Sequence, residues 1–240
     1  MIRTLWCVLY VVVSMLFLAP FGIIALVLKL LGLRRLSSIV LLFITNSWGK
    51  MMLFVSGHKV QVQGQENIPS EGGVCFVSNH SGFFDIALLL AYCSRYIAFI
   101  AKRELIYFPV LNLWIALLGG LFIDRKNPRK ALRTINAGVA RIKAGGAMLI
   151  FPEGHRSRDQ GLLPFHPGSL KLATQSEAVI VPVAITGTYN AFERNYRVTP
   201  SSLSISFCRA ISTAGIPPTD RKAILCDQVY AVIKDALGSR

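Results

Sequence analysis

A histidine and an aspartate, His80 and Asp85, have the residue types and the spacing that most directly indicate chemistry. The short apolar run Val74 to Val77 predicts a strand, which turns at His80 and continues as a helix from Phe83. Asp85 then falls in the first turn of that helix, where the helix dipole favours an anion and the carboxylate can fold back toward the imidazole. This arrangement is typical of a general base and the carboxylate that orients it.

Three further stretches place polar or conformationally special residues at predicted strand ends. Gly119 to Arg125 puts an acid and an arginine directly after a strand, and Phe151 to Arg158 adds a turn, a carboxylate and two arginines. Val179 to Ile185 is an apolar strand interrupted by Pro182, which lacks a ladder donor and therefore predicts a sheet edge or a bulge. Each stretch taken alone could consist of ordinary surface residues. Because ligands collect where the strands of an α/β sheet end, together they predict one site.

The elements that must position these residues follow from the alternation of apolar and amphipathic segments beyond His58. That alternation predicts an α/β domain over residues 58–240, with a mostly parallel sheet flanked by helices. The predicted strands are Lys59 to Val62, Val74 to Val77, Ile97 to Ala101, Leu121 to Ile123, Met148 to Phe151, Val179 to Ile185 and Leu203 to Phe207. The predicted helices are Ile86 to Cys93, Val110 to Leu117, Arg129 to Lys143, Ser169 to Ser176 and Asp220 to Leu237.

Residues 1–57 predict a separate N-terminal hairpin of two hydrophobic helices associated with a membrane. Leu5 to Leu31 is almost unbroken apolar, a basic turn follows at Arg34 and Arg35, and Leu36 to Val55 is again mostly apolar. A cleaved signal peptide is the alternative, but no small-residue cleavage site follows the first apolar run, and the apolar character continues beyond it. Because basic residues mark both the ends and the turn of the hairpin, the sequence does not decide whether it spans the membrane.

The composition combines a basic charge with a high apolar content. Among 240 residues, 26 Lys and Arg stand against 12 Asp and Glu, which gives a formal charge of +14, and 53% of the residues are hydrophobic. This combination favours an anionic membrane surface over nucleic acid as a partner. The five cysteines form no CxxC pair, which indicates reduced thiols in a cytosolic compartment. We therefore expect a membrane-associated protein whose active site faces the cytoplasm, at a bacterial inner membrane.

Asn79 to Asp85 resembles the His-x4-Asp motif of the glycerolipid acyltransferases, the family of the 1-acyl-sn-glycerol-3-phosphate acyltransferases. Gly119 to Arg125 resembles the second motif of that family, and Phe151 to Ser157 resembles its Phe-Pro-Glu-Gly-Thr-Arg-Ser third motif. Val179 to Ile185 resembles the fourth motif, a strand that contains proline. One such motif is weak support, but here all four occur in the order of the family.

The resemblance implies transfer of a fatty acyl group from acyl-CoA or acyl carrier protein to the sn-2 hydroxyl of lysophosphatidic acid, which yields phosphatidic acid. It implies His80 as the general base, oriented by Asp85, and the hydroxyl of the acceptor as the nucleophile. Ser81 is the covalent alternative, but a side chain next in sequence to the base points poorly at it. Backbone amides near Gly82 and at the start of the following helix could serve the oxyanion. No cofactor is expected besides the thioester co-substrate, and no metal, because HExxH or paired His/Cys spacing is missing.

The resemblance also assigns substrate-binding residues. Arg125 and Arg156 match the arginines that bind the acceptor phosphate in the family, and the guanidinium fork suits phosphate oxygens. Glu153 and Gly154 are expected to shape this phosphate-binding loop. Lys102 is expected to add positive charge, although a solvated surface lysine is an equally good interpretation.

Two histidines depart from the family pattern and leave the acceptor open. His155 stands where the family more often has threonine, and His166-Pro167 stands where basic residues are common. The alternatives are acylation of another lyso-lipid, such as an amino-acid-headed one, a lipid hydrolase, and a non-catalytic lipid-binding protein.

Overall fold

The computed structural model describes residues 1–158, 161–166, 168–213, 216 and 221–238. Its α-helices are α1 (Ile2–Leu30), α2 (Arg34–Val55), α3 (Phe84–Tyr92), α4 (Pro109–Leu117), α5 (Pro128–Lys143), α6 (Lys171–Ser176) and α7 (Arg221–Gly238). Its β-strands are β1 (Lys59–Gln63), β2 (Val74–Ser78), β3 (Ala98–Lys102), β4 (Leu121–Ile123), β5 (Ala147–Ile150), β6 (Val179–Thr186) and β7 (Ser202–Phe207). Every strand and helix expected from the sequence is present. Pro167 and Asp220, which belong to two of the expected features, lie outside the described residues.

The strands form one seven-stranded sheet in the order β1-β7-β6-β2-β5-β3-β4. All neighbouring strands run parallel except β6 and β7, which are antiparallel. Every residue of β2 and β5 is buried, which explains why these strands read as continuous apolar runs rather than alternating ones. The expected mostly parallel sheet flanked by helices is confirmed.

Of the two alternatives predicted for Pro182, the sheet edge is wrong, because β6 is an interior strand. The ladder between β6 and the C-terminal segment is nevertheless irregular at this point. Val183 pairs with Phe207, and Ile180 pairs with Ile211. Between these two pairs β6 has a spacing of three residues and the opposite segment a spacing of four, so the opposite segment contains one extra residue. This extra residue is a bulge, and a bulge is where an interior strand tolerates a residue without an N–H.

The first two helices pack along their sides on the α/β part of the chain. The Asn46 side chain of α2 donates to the Leu90 carbonyl of α3 at 2.6 Å, and the Trp114 indole of α4 donates to the Met15 carbonyl of α1 at 2.8 Å. Residues from both helices belong to the same hydrophobic cluster as residues of the sheet. The chain passes from the helical pair to the sheet between Val55 and Lys59.

The opposite side of these two helices is exposed and apolar. Both α1 and α2 are long and apolar enough to cross a membrane, judged by length and composition. Only 11% of the most apolar stretch of α1 is buried, so this helix is not an ordinary core helix. Exposed large side chains include Trp6, Phe17 and Phe21 on α1 and Phe43 and Phe54 on α2.

Candidate active site

The carboxyl ends of five strands bring the predicted site residues to one edge of the sheet. His80 follows β2, Lys102 ends β3 and Arg125 follows β4, while the segment containing Arg156 follows β5. A short helical segment, Tyr189–Glu193, follows β6 at the same edge. Residues far apart in sequence therefore converge because their strands are parallel.

His80 and Asp85 form the expected pair. The distance between His80 Nδ1 and Asp85 Oδ2 is 2.6 Å, and Asp85 is fully buried in the first turn of α3. The same carboxylate oxygen accepts the backbone N–H groups of Ser81 at 2.8 Å and Gly82 at 2.9 Å. The imidazole stacks on the Phe151 ring with centroids 4.0 Å apart. These contacts fix the ring so that Nε2, which has no hydrogen-bond partner among the described residues, is left for substrate.

Glu153 holds the catalytic turn from the side of β5. Its Oε1 accepts the His80 N–H at 2.7 Å and its Oε2 accepts the Leu163 N–H at 3.0 Å, while the Ser157 N–H donates to the His80 carbonyl at 2.7 Å. Burial raises the pKa of Glu153, and the two N–H donors oppose that rise. Because this carboxyl is fully buried and does not line the substrate cavity described below, we correct its expected place beside the phosphate: it positions the two loops.

Glu193 holds the same turn from the side of β6, and the sequence analysis missed it. Its Oε1 accepts the Phe83 N–H at 2.7 Å and lies 3.2 Å from Arg156 Nη1. Burial raises the pKa of Glu193, and the nearby Arg156 lowers it. A Cβ at Gly82 would lie 2.7 Å from Glu193 Oε2, so this close approach requires glycine.

The amides of this turn are already occupied. The N–H groups of Ser81 and Gly82 bond Asp85, and that of Phe83 bonds Glu193. The expectation that amides near Gly82 serve the oxyanion is therefore wrong for this arrangement of the turn, because each of them already has a carboxylate acceptor.

A cavity of about 1300 Å³ opens beside the His80 ring. Apolar side chains from α1, α2, α3 and α4 form much of its wall, so the N-terminal helices take part in the site. Polar side chains expected from the sequence line the same cavity, together with the backbone of Gly154. They are His80, Lys102, Arg125 and Arg156, along with the two departures from the family pattern, His155 and His166.

The cationic side chains of the cavity differ in how firmly they are held. The Arg125 guanidinium donates to the Gly154 carbonyl, and Arg156 pairs with Glu193 while remaining 42% exposed. Lys102 forms an ion pair with Glu104 at 3.4 Å, with both side chains more than half exposed. Gly154 has a positive φ of 74°, and a Cβ there would lie 2.9 Å from the His166 ring, so the loop closes tightly on that histidine.

The part of the chain that carries this site matches a known protein family. A family model described as Acyltransferase matches residues 59–186, which is more than half of the chain and contains His80, Asp85, Arg125 and Arg156. The chain belongs to the acyltransferase family.

Named relatives agree with this family. A 1-acyl-sn-glycerol-3-phosphate acyltransferase from Cocos nucifera is 33% identical over 168 residues, which cover 69% of this chain and 54% of the relative. One of the same name from Borreliella burgdorferi is 30% identical over 146 residues, which cover 61% of this chain and 58% of the relative. This acyltransferase thus spans a little over half the length of these curated relatives.

A solved structure matches nearly the whole chain. The crystal structure of the 1-acyl-sn-glycerophosphate (LPA) acyltransferase PlsC from Thermotoga maritima superposes with a TM-score of 0.80 at 28% identity. The match covers 99% of this acyltransferase and 96% of the other chain, so it includes the two N-terminal helices.

Among the described residues, no group of three His, Cys, Asp or Glu side chains could hold a metal ion.

Proposed function

We propose that this acyltransferase moves a fatty acyl group from a thioester donor, acyl-CoA or acyl carrier protein, to the sn-2 hydroxyl of lysophosphatidic acid and so produces phosphatidic acid. One observation carries the proposal: His80, paired with Asp85, lines the same largely apolar cavity as Arg125 and Arg156. Lysophosphatidic acid offers the three groups that such a cavity matches, namely a hydroxyl, a phosphate and an apolar chain. The relatives and the solved structure above bear the name of this activity.

In the proposed reaction, neutral His80 donates a hydrogen bond from its Nδ1–H group to Asp85. Its Nε2 takes the proton of the acceptor hydroxyl. The hydroxyl oxygen adds to the thioester carbonyl as this proton leaves, and Asp85 stabilises the imidazolium that forms. Collapse of the tetrahedral intermediate breaks the C–S bond, and the departing thiolate takes the proton from Nε2. One alcohol and one thioester thus become one ester and one thiol, and His80 returns to its neutral form.

The surroundings of Ser81 support the acceptor hydroxyl, rather than this serine, as the nucleophile. The Ser81 hydroxyl lies 3.5 Å from the Ser157 hydroxyl, and Ser81 does not line the cavity that His80 lines. An acyl-enzyme on Ser81 would need its hydroxyl to reach Nε2 of the neighbouring residue. The hydrolase alternative, which depends on Ser81 or on an activated water, therefore gains no support from this placement.

Arg125 and Arg156 are the proposed ligands of the acceptor phosphate, with Lys102 adding positive charge at longer range. Charged hydrogen bonds to phosphate are among the stronger polar contacts in proteins. The ion pair between Arg156 and Glu193 holds the guanidinium in place before substrate binds. A lyso-lipid without phosphate would not offer Arg125 and Arg156 the phosphate oxygens that the guanidinium fork suits, which disfavours acceptors such as the amino-acid-headed ones.

The exposed apolar side of α1 and α2 supports activity at a membrane, where a single-chain phospholipid resides. Because both helices also line the cavity, the acceptor would reach His80 from the bilayer without crossing water. We also propose that the active site faces the cytoplasm at a bacterial inner membrane, because that compartment supplies both thioester donors.

The proposal is tested with the purified full chain in detergent, given labelled acyl-CoA or acyl carrier protein and lysophosphatidic acid. Labelled phosphatidic acid is the expected product. Loss of a general base lowers rates by about 10² to 10⁴-fold, so His80→Ala should lose turnover to that extent at an unchanged unfolding temperature. Arg156→Ala should instead raise the KM for lysophosphatidic acid.

Three other outcomes would contradict parts of this proposal. Labelled fatty acid released equally well without acceptor would identify a hydrolase. Turnover that survives in His80→Ala would remove the general base. Equal use of a lyso-lipid without phosphate, unaffected by Arg156→Ala, would overturn the choice of acceptor while leaving acyl transfer intact.

A further inference from the structure

A second cavity, of about 710 Å³, lies on the other side of the catalytic turn. The residues on either side of His80, Asn79 and Ser81, line this second cavity, whereas the His80 ring lines the first. The turn that carries the proposed base therefore borders both cavities.

Two arginines of one segment are divided between these cavities. Arg156 lines the first cavity and Arg158 lines the second, and Ser157 between them is buried and bonded to the His80 carbonyl. Arg158 has a positive φ of 59°, a conformation that residues other than glycine rarely adopt. Of these two arginines the mechanism proposed above uses Arg156 only, so Arg158, which directly follows the third motif, has no part in it.

The second cavity is strongly cationic. Arg158, Arg194 and Lys234 reach it from the loop after β5, from the segment after β6 and from α7. No acidic residue in the described part of the chain lines it. Three cationic side chains around one cavity favour an anionic ligand, and arginine in particular suits phosphate.

The rest of the lining mixes polar and apolar residues and is joined to neighbouring elements by hydrogen bonds. The Asn79 side chain donates to the Ile185 carbonyl at 2.9 Å and accepts the Ile185 N–H at 2.8 Å, which joins the lining to β6. The Tyr230 hydroxyl donates to the Leu162 carbonyl at 3.4 Å, which joins α7 to the loop after β5. Ser81, Thr186 and Asn190 supply further polar groups, and Leu162, Ile185 and Leu237 supply apolar ones.

Given that the chain catalyses the transfer proposed above, we infer that this second cavity binds the phosphorylated pantetheine arm of the acyl donor. Both proposed substrates carry phosphate, and the first cavity already has Arg125 and Arg156 for the acceptor. The donor arm presents one phosphate, for which Arg158 and Lys234 are the ligands, and two amides that match the polar part of the lining. Coenzyme A and acyl carrier protein share this arm, so either donor fits the same cavity.

The test measures binding without turnover, on the full chain in detergent. Coenzyme A and the pantetheine-bearing acyl carrier protein are titrated separately against the wild type and against the double variant Arg158→Gln, Lys234→Gln. Loss of two charged phosphate contacts should raise Kd by at least about tenfold in one or both titrations. The matched control, Lys130→Gln with Lys143→Gln, removes the same charge from the exposed surface of α5 and should change Kd by less than about twofold.

Steady-state kinetics separates this inference from the proposed function. In the double variant the KM for the donor should rise while the KM for lysophosphatidic acid stays within about twofold. If the double variant folds poorly, Lys234→Gln alone should also raise the KM for the donor. The titration that responds identifies coenzyme A or the carrier protein as the source of the arm. Unchanged Kd in both titrations, or a KM change confined to lysophosphatidic acid, would overturn the inference. A wild type without acyl transfer would refute the proposed function, while the titrations would still report on the cavity.

Discussion

The position of His80, the proposed general base, depends on three buried carboxylates that approach one turn from different elements. Asp85 bonds the ring, Glu153 the His80 amide, and Glu193 the amide of Phe83. Each carboxylate is held by backbone N–H groups, which are strong partners for an anion. The turn is thus fixed by charge-assisted bonds rather than by apolar packing alone, and this keeps Nε2 directed at the cavity.

Glu193 provides a residue-level test of this view. Glu193→Gln keeps an oxygen that can accept the Phe83 N–H, so kcat should stay within about threefold of the wild type. Glu193→Ala leaves that N–H without its acceptor, at a cost of about 1–3 kcal/mol, so kcat should fall by about tenfold or more. The measurement is kcat at saturating substrates. Equal losses in the two variants would show that charge, and not support of the turn, is what Glu193 contributes.

The raised pKa values of Glu153 and Glu193 predict a pH dependence of stability. In the folded chain burial raises both pKa values above the ordinary 4.5, so the folded state binds these protons more tightly than the unfolded state. Their contribution to the free energy of unfolding is therefore fully present below pH 4.5 and is lost as pH rises through the folded pKa.

Thermal unfolding in detergent at a series of pH values checks this prediction. The wild type should lose stability relative to the variant Glu153→Gln, Glu193→Gln as pH rises, because glutamine does not titrate. The comparison with the variant cancels the opposite effect of exposed acids, such as Glu104, whose pKa is lowered. A difference that stays constant with pH would contradict the assigned direction of both shifts.

At the scale of elements, the strands of the sheet could be predicted because they are short apolar runs between loops that contain polar residues or glycine. Runs such as β2 and β5 are almost wholly apolar, and each follows a pair of glycines, so their starts are visible in the sequence. The pair His80 and Asp85 was predictable for a related reason: a strand, a turn and a helix bring them together within one short segment.

What could not be predicted depends on neighbours distant in the sequence. Glu193 bonds the amide of Phe83 across 110 positions, and an isolated glutamate after a strand carries no local signal of that contact. Pro182 was assigned to an edge or a bulge because the sequence does not reveal which strands lie beside β6. Glu153 sits in a motif that the family resemblance explains, but its direction, into the protein and away from the cavity, is set by the His80 and Leu163 amides.

The contact between α2 and α3 gives an element-level prediction. A Cβ at Gly49 would lie 2.7 Å from the Ala91 nitrogen and 2.8 Å from the Ala87 carbonyl oxygen, both of which are backbone atoms that cannot move aside. Gly49→Ala should therefore separate the helices and lower the free energy of unfolding by about 1–3 kcal/mol. Gly238→Ala, at a helical glycine with open space around it, is the matched control and should be neutral or slightly stabilising. Equal unfolding temperatures for the two variants would argue against close packing of α2 on α3.

At the scale of the whole molecule, the two N-terminal helices join a membrane surface to the active site. One side of the pair packs on α3 and α4 and lines the cavity, and the other side exposes large apolar residues. A helix surrounded by lipid on all sides could not make the first set of contacts. We therefore expect the pair to lie in the membrane interface with its exposed side in the lipid, a geometry typical of interfacial helices.

This geometry predicts which substitutions release the protein from membranes. The wild type should stay with the membrane through high-salt and carbonate washes, because apolar burial, not charge, holds it. Phe17→Glu with Phe21→Glu places two carboxylates on the exposed side of α1, where these rings are 70% and 47% exposed. Each charge is expensive in lipid, so most of the variant should be recovered in the wash.

The matched control for this release is Tyr196→Glu with Ile224→Glu, two apolar residues that are 69% and 48% exposed on the α/β part of the chain. Neither position belongs to α1 or α2, so the control should stay bound while carrying the same added charge. Release of both variants would indicate that net charge governs binding, and retention of both would place the lipid contact elsewhere. Release of the α1 variant alone, with acyl transfer preserved in detergent, is the outcome expected if the helices deliver an otherwise complete active site to the lipid.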